Sequence, residues 1–166
     1  LDARRAGSGT TNSTAILWGS GDSSARDSFL LCPYEGSGRY NVAGDVEFID
    51  WDTFAEASAP LSTSFTMSKM PTTATVNKIS KPRWGTKVIG TVKARSATLG
   101  SIGARGTVLV KAKKPGKRWV RVDWTYPNDR GRYVVATSSK YPKGTKFKAI
   151  CRGDEATSRD ASPVKR

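Results

Sequence analysis

Residues 107–126 read TVLVKAKKPGKRWVRVDWTY, and this stretch decides the fold. From Thr107 to Lys113 the side chains alternate: Val108, Val110 and Ala112 fall on one face, Lys111 and Lys113 on the other. A period of two is that of a strand, whose successive side chains point to opposite sides of its sheet. Lys114-Pro115-Gly116-Lys117 then places Pro and Gly where a type II turn needs a fixed φ followed by a positive one. Beyond the turn, Val120, Val122 and Trp124 alternate with Trp119, Arg121 and Asp123. The stretch therefore reads as a hairpin with one apolar and one cationic face. A tight turn would set Lys113 opposite Arg118, an unfavourable pair of like charges, so a bulge is expected.

Working outward, the same pattern recurs. Thr145–Arg152 sets Phe147, Ala149 and Cys151 against Lys146, Lys148 and Arg152. Further strand-like runs, rich in Val, Ile, Thr and aromatics, are Ala15–Trp18, Ser28–Cys32, Tyr40–Trp51, Ser62–Met67, Thr73–Ile79, Lys87–Ala94 and Arg132–Thr137. Pro127-Asn128-Asp129-Arg130-Gly131 reads as a hairpin loop from Tyr126 to Arg132, which makes 107–152 an antiparallel meander. Only Thr53–Ala59 looks helical, and Pro60 ends it. Short strands with frequent turn signals predict an all-β fold, an antiparallel jelly-roll-like sandwich. Residues 1–14 read as a flexible polar arm and 153–166 as a flexible polar tail. Between them lies one β domain, 15–152, with an acidic part, 15–66, and a basic part, 67–152.

The charge behind that division is one-sided. Residues 67–152 hold 21 Lys or Arg and two acids, Asp123 and Asp129; residues 1–66 hold four basic residues and nine acids. A block that repels itself to this degree implies a polyanionic partner, with nucleic acid first and RNA favoured, then acidic polysaccharide or an anionic membrane surface. The candidate phosphate-binding residues are Arg105, Lys111, Lys113, Lys114, Lys117, Arg118, Arg121, Lys146, Lys148 and Arg152. Trp84, Trp119, Tyr126 and Tyr133 are interleaved with the cations; they suit a buried core or, if exposed, stacking on unpaired bases.

Composition excludes other chemistry. There is no histidine, hence no Ser-His-Asp or Cys-His catalytic arrangement and no His-based metal site. Cys32 and Cys151 have no CxxC spacing; they fit two buried thiols or one disulfide, and the disulfide would favour secretion. No apolar run is long enough to cross a bilayer. The chain starts at Leu1, which implies processing or an earlier beginning. In the acidic run Asp45–Asp52, Asp45 and Glu47 point to one side of a regular strand and Asp50 and Asp52 to the other; this suits a solvated strand end, or a site for a hard cation such as Ca²⁺, which wants 6–8 oxygens and so needs a second segment or neighbouring subunit to contribute. A two-carboxylate hydrolase using Glu47, Asp50 or Asp52 is a third reading, without a visible second half. Arg152-Gly153-Asp154 spells an integrin-type tripeptide and Asn12-Ser13-Thr14 a glycosylation sequon.

Size, Ser/Thr/Ala/Val-rich strands, net basicity, the arm Ala3-Arg4-Arg5-Ala6-Gly7 and the segment Lys113-Lys114-Pro115-Gly116-Lys117-Arg118 resemble coat proteins of small icosahedral positive-strand RNA viruses. That resemblance implies an eight-stranded jelly roll, self-assembly into a homo-oligomer, RNA packaging, a virion location and Ca²⁺ held between subunits by Asp clusters, which would cast Asp45, Asp50 and Asp52 as ligands. It also has a departure: those families concentrate charge in an arm, whereas here the folded body carries it. A second resemblance covers roughly 73–141. Ala74-Thr75-Val76, Lys87–Val92, Arg118–Val122, Tyr133 and Ser138–Tyr141 are similar to pieces of a bacterial SH3-like module, which implies a secreted protein that binds cell wall or acidic polymer. The expectation drawn from all of this is a non-enzymatic structural protein that self-assembles and binds nucleic acid.

Overall fold

A computed structural model describes residues 1–7, 11, 13–14, 31–32, 34–50 and 52–166. The expected strands Ala15–Trp18 and most of Ser28–Cys32, and the sequon residue Asn12, lie outside the described residues. The protein is all-β, in antiparallel sheets, with no helix among the described residues. It divides into two compact units, Leu1–Ser68 and Lys69–Arg166, where the sequence predicted one. The boundary falls two residues from the change in charge, so all the cations of the basic part lie in the second compact unit.

The first unit holds β1 (Asp2–Arg5), β2 (Ser13–Thr14), β3 (Gly38–Ile49) and β4 (Glu56–Met67) in one sheet of order β2-β1-β3-β4. The expected arm is therefore structured: Asp2–Arg5 pairs along β3 from Ala43 to Tyr40, and Ala3 is fully buried. Asp2 accepts from the Thr14 hydroxyl at 2.9 Å and pairs with Arg4 at 3.3 Å; the Thr14 bond, then the Arg4 contacts, hold its carboxyl below the usual range. The expected helix at Thr53–Ala59 is a correction. Residues 52–53 form a turn and Glu56 already begins β4, because twelve consecutive pairings with β3 outweigh the local preference of seven residues. Tyr40 stacks on Phe65 with centroids 5.3 Å apart, and its hydroxyl donates to Gly36 O.

The second unit holds β5 (Thr72–Ser80), β6 (Thr86–Ser96), β7 (Gly100–Gly103), β8 (Val108–Lys113), β9 (Val120–Thr125), β10 (Arg132–Thr137), β11 (Lys146–Cys151) and β12 (Asp160–Ala161). One sheet runs β10-β6-β5, with β7 on β6; the other runs β12-β11-β8-β9. Inward residues of both sheets, among them Val88, Val92, Val108, Val110, Tyr133 and Phe147, share one core. The expected meander is thus corrected. Only β8–β9 is a hairpin; the 127–131 loop carries the chain to the other sheet, where β10 pairs with β6, and β11 returns to β8. The loop is a tight local turn in which Asn128 Oδ1 accepts from the Arg130 and Arg132 amides.

The tail is structured too. Ala161 and Asp160 pair with Ile150 and Cys151, and Lys165 exchanges two main-chain bonds with Phe147. On its other side the Asp160 carboxylate accepts from the Ala74 amide at 2.7 Å, and Ser158 Oγ from the Thr72 amide at 3.0 Å. Polar side chains that read as a solvated end are acceptors for edge amides of β5. Replacing Asp160 with Ala should cost about 2 kcal/mol in urea unfolding, since it strands the amide of fully buried Ala74.

Candidate nucleic-acid interface

The outer face of the β12-β11-β8-β9 sheet gathers the predicted cations. Register places Lys146 opposite Lys113, Lys148 opposite Lys111, and Lys111 in turn opposite Arg121. Directly opposed side chains of an antiparallel pair lie on one face with Cβ atoms about 5 Å apart. Two rows of cations therefore run across the sheet, and none of these five residues forms an ion pair with a described carboxylate. Four half-buried lysines and the exposed Arg121 at that spacing repel one another and cost the fold stability. Lys148 is steered by Trp119, with Nζ 4.6 Å from the ring centroid.

A bulge is present, but inside β9 rather than at the 115–116 turn where the sequence suggested one. Lys111 faces Arg121 while Val110 faces Asp123, so Val122 is the extra residue. This overturns the simple alternation predicted for the strand. After the bulge Trp124 faces Leu109, which is an outward position, and Leu109 faces Ile150. Trp124 is 46% exposed and meets Tyr126, 66% exposed, edge to face at 5.5 Å. Val120, expected in the core, is 45% exposed at the edge. The bulge thus transfers an indole from the core side to the cationic side, beside the lysine rows. The predicted turn at Lys114–Lys117 forms, with Gly116 at φ 68° and the Lys117 amide on Lys114 O at 3.1 Å.

The remaining candidates divide between the two ends of this sheet. Lys114, Lys117 and Arg118 sit in the exposed β8–β9 turn. Arg105 and Arg152 lie at the far end, where the Arg152 amide reaches Thr107 O and the Arg105 carbonyl accepts from the Thr157 hydroxyl. Asp154, of the tripeptide, turns Oδ1 into its own loop, where the Ala156 amide, the Thr157 amide and the Thr157 hydroxyl all donate to it. Sequence reasoning missed the cations of the neighbouring loops. Lys114 Nζ lies 5.7 Å from the Tyr141 ring, and Lys81 Nζ reaches Pro142 O at 3.5 Å. These contacts bring the 81–85 and 138–145 loops beside the turn, adding Lys81, Arg83, Lys140, Lys143 and the 55%-exposed Trp84 to its end. Nothing in a linear reading pairs those loops. The other sheet carries Lys87, Lys93 and Arg132 outward as well, but spaced among Thr75, Thr91, Ile89 and Val134.

Of the predicted aromatics Tyr133 is core: it is 1% exposed, and burial pushes its hydroxyl far above the usual tyrosine range. The expected Ca²⁺ ligands are not brought together. Among the described residues no three acids or cysteines cluster as a metal site. Asp45 is exposed on β3; Asp50 folds Oδ1 back onto the amides of Asp52 and Thr53, and these bonds, that from Asp52 first, hold its carboxyl below the usual range. Both cysteines are free, Cys32 exposed and Cys151 buried, and burial raises the Cys151 thiol. No helix of the described residues is long and apolar enough to cross a membrane. Comparison of the chain with protein-family models, curated proteins and solved structures gave no match.

Proposed function

We propose that this protein binds single-stranded nucleic acid, RNA by preference, on the outer face of the β8–β9–β11 sheet, and that it acts by packaging the polymer rather than by catalysis. The observation that carries this reading is the juxtaposition of two unpaired cation rows with the exposed Trp124–Tyr126 pair. Cations alone would suit any polyanion. Aromatic rings beside them add a surface on which unpaired bases, but not bases inside a duplex, stack face to face. Lysines with rotatable stems contact phosphates without reading sequence, as packaging requires.

A feature of the first unit supports a coat-type role with self-assembly. Among the described residues β4 is a sheet-edge strand of 12 residues, exposed over Glu56–Ser64, with Ala, Ser and Thr prevailing and Pro60 as its one interruption. Long exposed edges recruit another chain unless they are guarded, and this one carries a single charge, Glu56. Copies joined through such edges would present their cationic units to a shared polymer. Sedimentation of the full chain with and without single-stranded RNA tests this: RNA-dependent assemblies larger than a monomer are expected, and a monomer that ignores RNA at low salt would end the reading.

The stacking half has its own test. Trp124→Ala should weaken binding of single-stranded RNA by about 5- to 100-fold, the worth of one base–aromatic stack, and leave duplex binding nearly unchanged. Competition binding with matched single- and double-stranded oligonucleotides reads both. An equal loss on both would make Trp124 a structural residue.

A further inference from the structure

Between the 81–85 loop and the 140–141 segment lies a cavity of about 290 Å³ whose lining includes Lys81, Arg83, Lys140, Tyr141 and Thr86. Its chemistry differs from that of the sheet face. Three of the lining residues are cations and none is a carboxylate. Thr86 is fully buried, and its Oγ1 is the one buried side-chain polar atom among the described residues that has no hydrogen-bond partner. Leaving a hydroxyl unpaired in a protein interior costs about 1–3 kcal/mol, so such atoms are uncommon and point to something that normally occupies them. Thr86 is also among the residues that line this cationic cavity. Burial also raises the Tyr141 hydroxyl, which keeps it protonated and able to donate.

We propose that this cavity binds a phosphate group, with Lys81, Arg83 and Lys140 supplying the charge and the Thr86 hydroxyl the buried donor. A guanidinium and two ammonium groups suit the dianionic charge and the several oxygens of a phosphate monoester better than the single charge of a phosphodiester. Two sources share that chemistry, free inorganic phosphate and the terminal phosphate of a polynucleotide. The site stands apart from the sheet face: it uses none of Lys111, Lys113, Lys146 or Arg121.

Calorimetric titration of the full chain with inorganic phosphate tests it. Saturable one-to-one binding is expected, about tenfold weaker in Thr86→Val, which keeps the side-chain shape and removes only the hydroxyl. Thr86→Val should melt at the same temperature or higher, because the unpaired group is gone, so a loss of binding is not a loss of fold. Lys140→Gln, at an exposed position, should weaken phosphate binding as well. A parallel arm compares 5′-phosphorylated with 5′-hydroxyl oligonucleotides. A preference for the phosphorylated strand that disappears in Thr86→Val assigns the site to a strand terminus; equal binding of the two strands, with phosphate still bound, assigns it to free phosphate. Absence of saturable phosphate binding, or equal affinity in wild type and Thr86→Val, would overturn the proposal and leave the hydroxyl to water. Removing the sheet cations should leave phosphate binding in place, which separates failure here from failure of the nucleic-acid reading.

Discussion

The quadruple variant Lys111→Gln, Lys113→Gln, Lys146→Gln and Arg121→Gln should bind single-stranded RNA about 10²- to 10³-fold more weakly than wild type at 0.1 M salt, and should also be more stable. Each phosphate neutralised on a single strand contributes roughly 0.7 to the slope of log affinity against log salt, so four lost contacts remove a slope of about 3. The same four substitutions delete both members of the Lys146–Lys113 pair and of the Lys111–Arg121 pair. Like charges opposed across a sheet each cost about 0.2–1 kcal/mol, so their removal should raise the urea midpoint. Lys148 is left in place because its contact with Trp119 would confound the comparison. Opposite signs for binding and stability are the mark of residues kept for a ligand at the expense of the fold. Were these lysines mere solubilising surface, neither quantity would move far. Filter binding and urea denaturation of one preparation supply both numbers.

Gly90→Ala should destabilise the second unit by about 3–5 kcal/mol. Gly90 lies mid-strand in β6, directly opposite Tyr133 of β10 and Val76 of β5. The tyrosine ring lies across it, and the Tyr133 hydroxyl donates to Thr75 O at 2.7 Å. A Cβ built on Gly90 would stand 2.0 Å from that carbonyl and 2.2 Å from the tyrosine oxygen. Neither can retreat: the carbonyl is backbone of a paired strand and the ring is 1% exposed in a closed core. Alanine therefore expels the ring, adding an overpacking cost of about 1–3 kcal/mol to the loss of a buried hydrogen bond. Tyr133→Phe, which keeps the ring and loses only the bond, should cost about 1–2 kcal/mol. Urea denaturation of the two variants reads both. A Gly90→Ala protein within 1 kcal/mol of wild type would mean that β6 and β10 are not paired in this register.

The two predictions also show what the sequence could and could not say. The period of two in Val108–Lys113 and Lys146–Cys151 was legible because both strands are central: one face meets a core, the other solvent, and the pattern is forced. It was not legible in β9, an edge strand, where one bulged residue turned Trp124 to the outer side without leaving a mark in composition. The β8–β9 hairpin was legible from Pro115-Gly116, a local signal. The pairing of β10 with β6 was not, because Tyr133 lies opposite a glycine more than forty positions away and strand order is a non-local property. The tail misled for a related reason: Ser158 and Asp160 look like solvated residues until the edge of β5 is placed beside them. For the site, the cations on alternate positions of β8 and β11 were readable. The loop cations Lys81, Arg83 and Lys140 were not, since only the fold brings their loops to the β8–β9 turn.

On the proposed reading, the outer face of the β8–β9–β11 sheet is neutralised by a polyanion. The most direct measurement is the affinity of the full wild-type chain for a single-stranded RNA homopolymer across a salt series from about 0.02 to 0.3 M. A straight line of log affinity against log salt, with a slope of about −3 or steeper, is the predicted result, as it requires at least four neutralised phosphates. A flat line, or no binding at the lowest salt, would contradict the account.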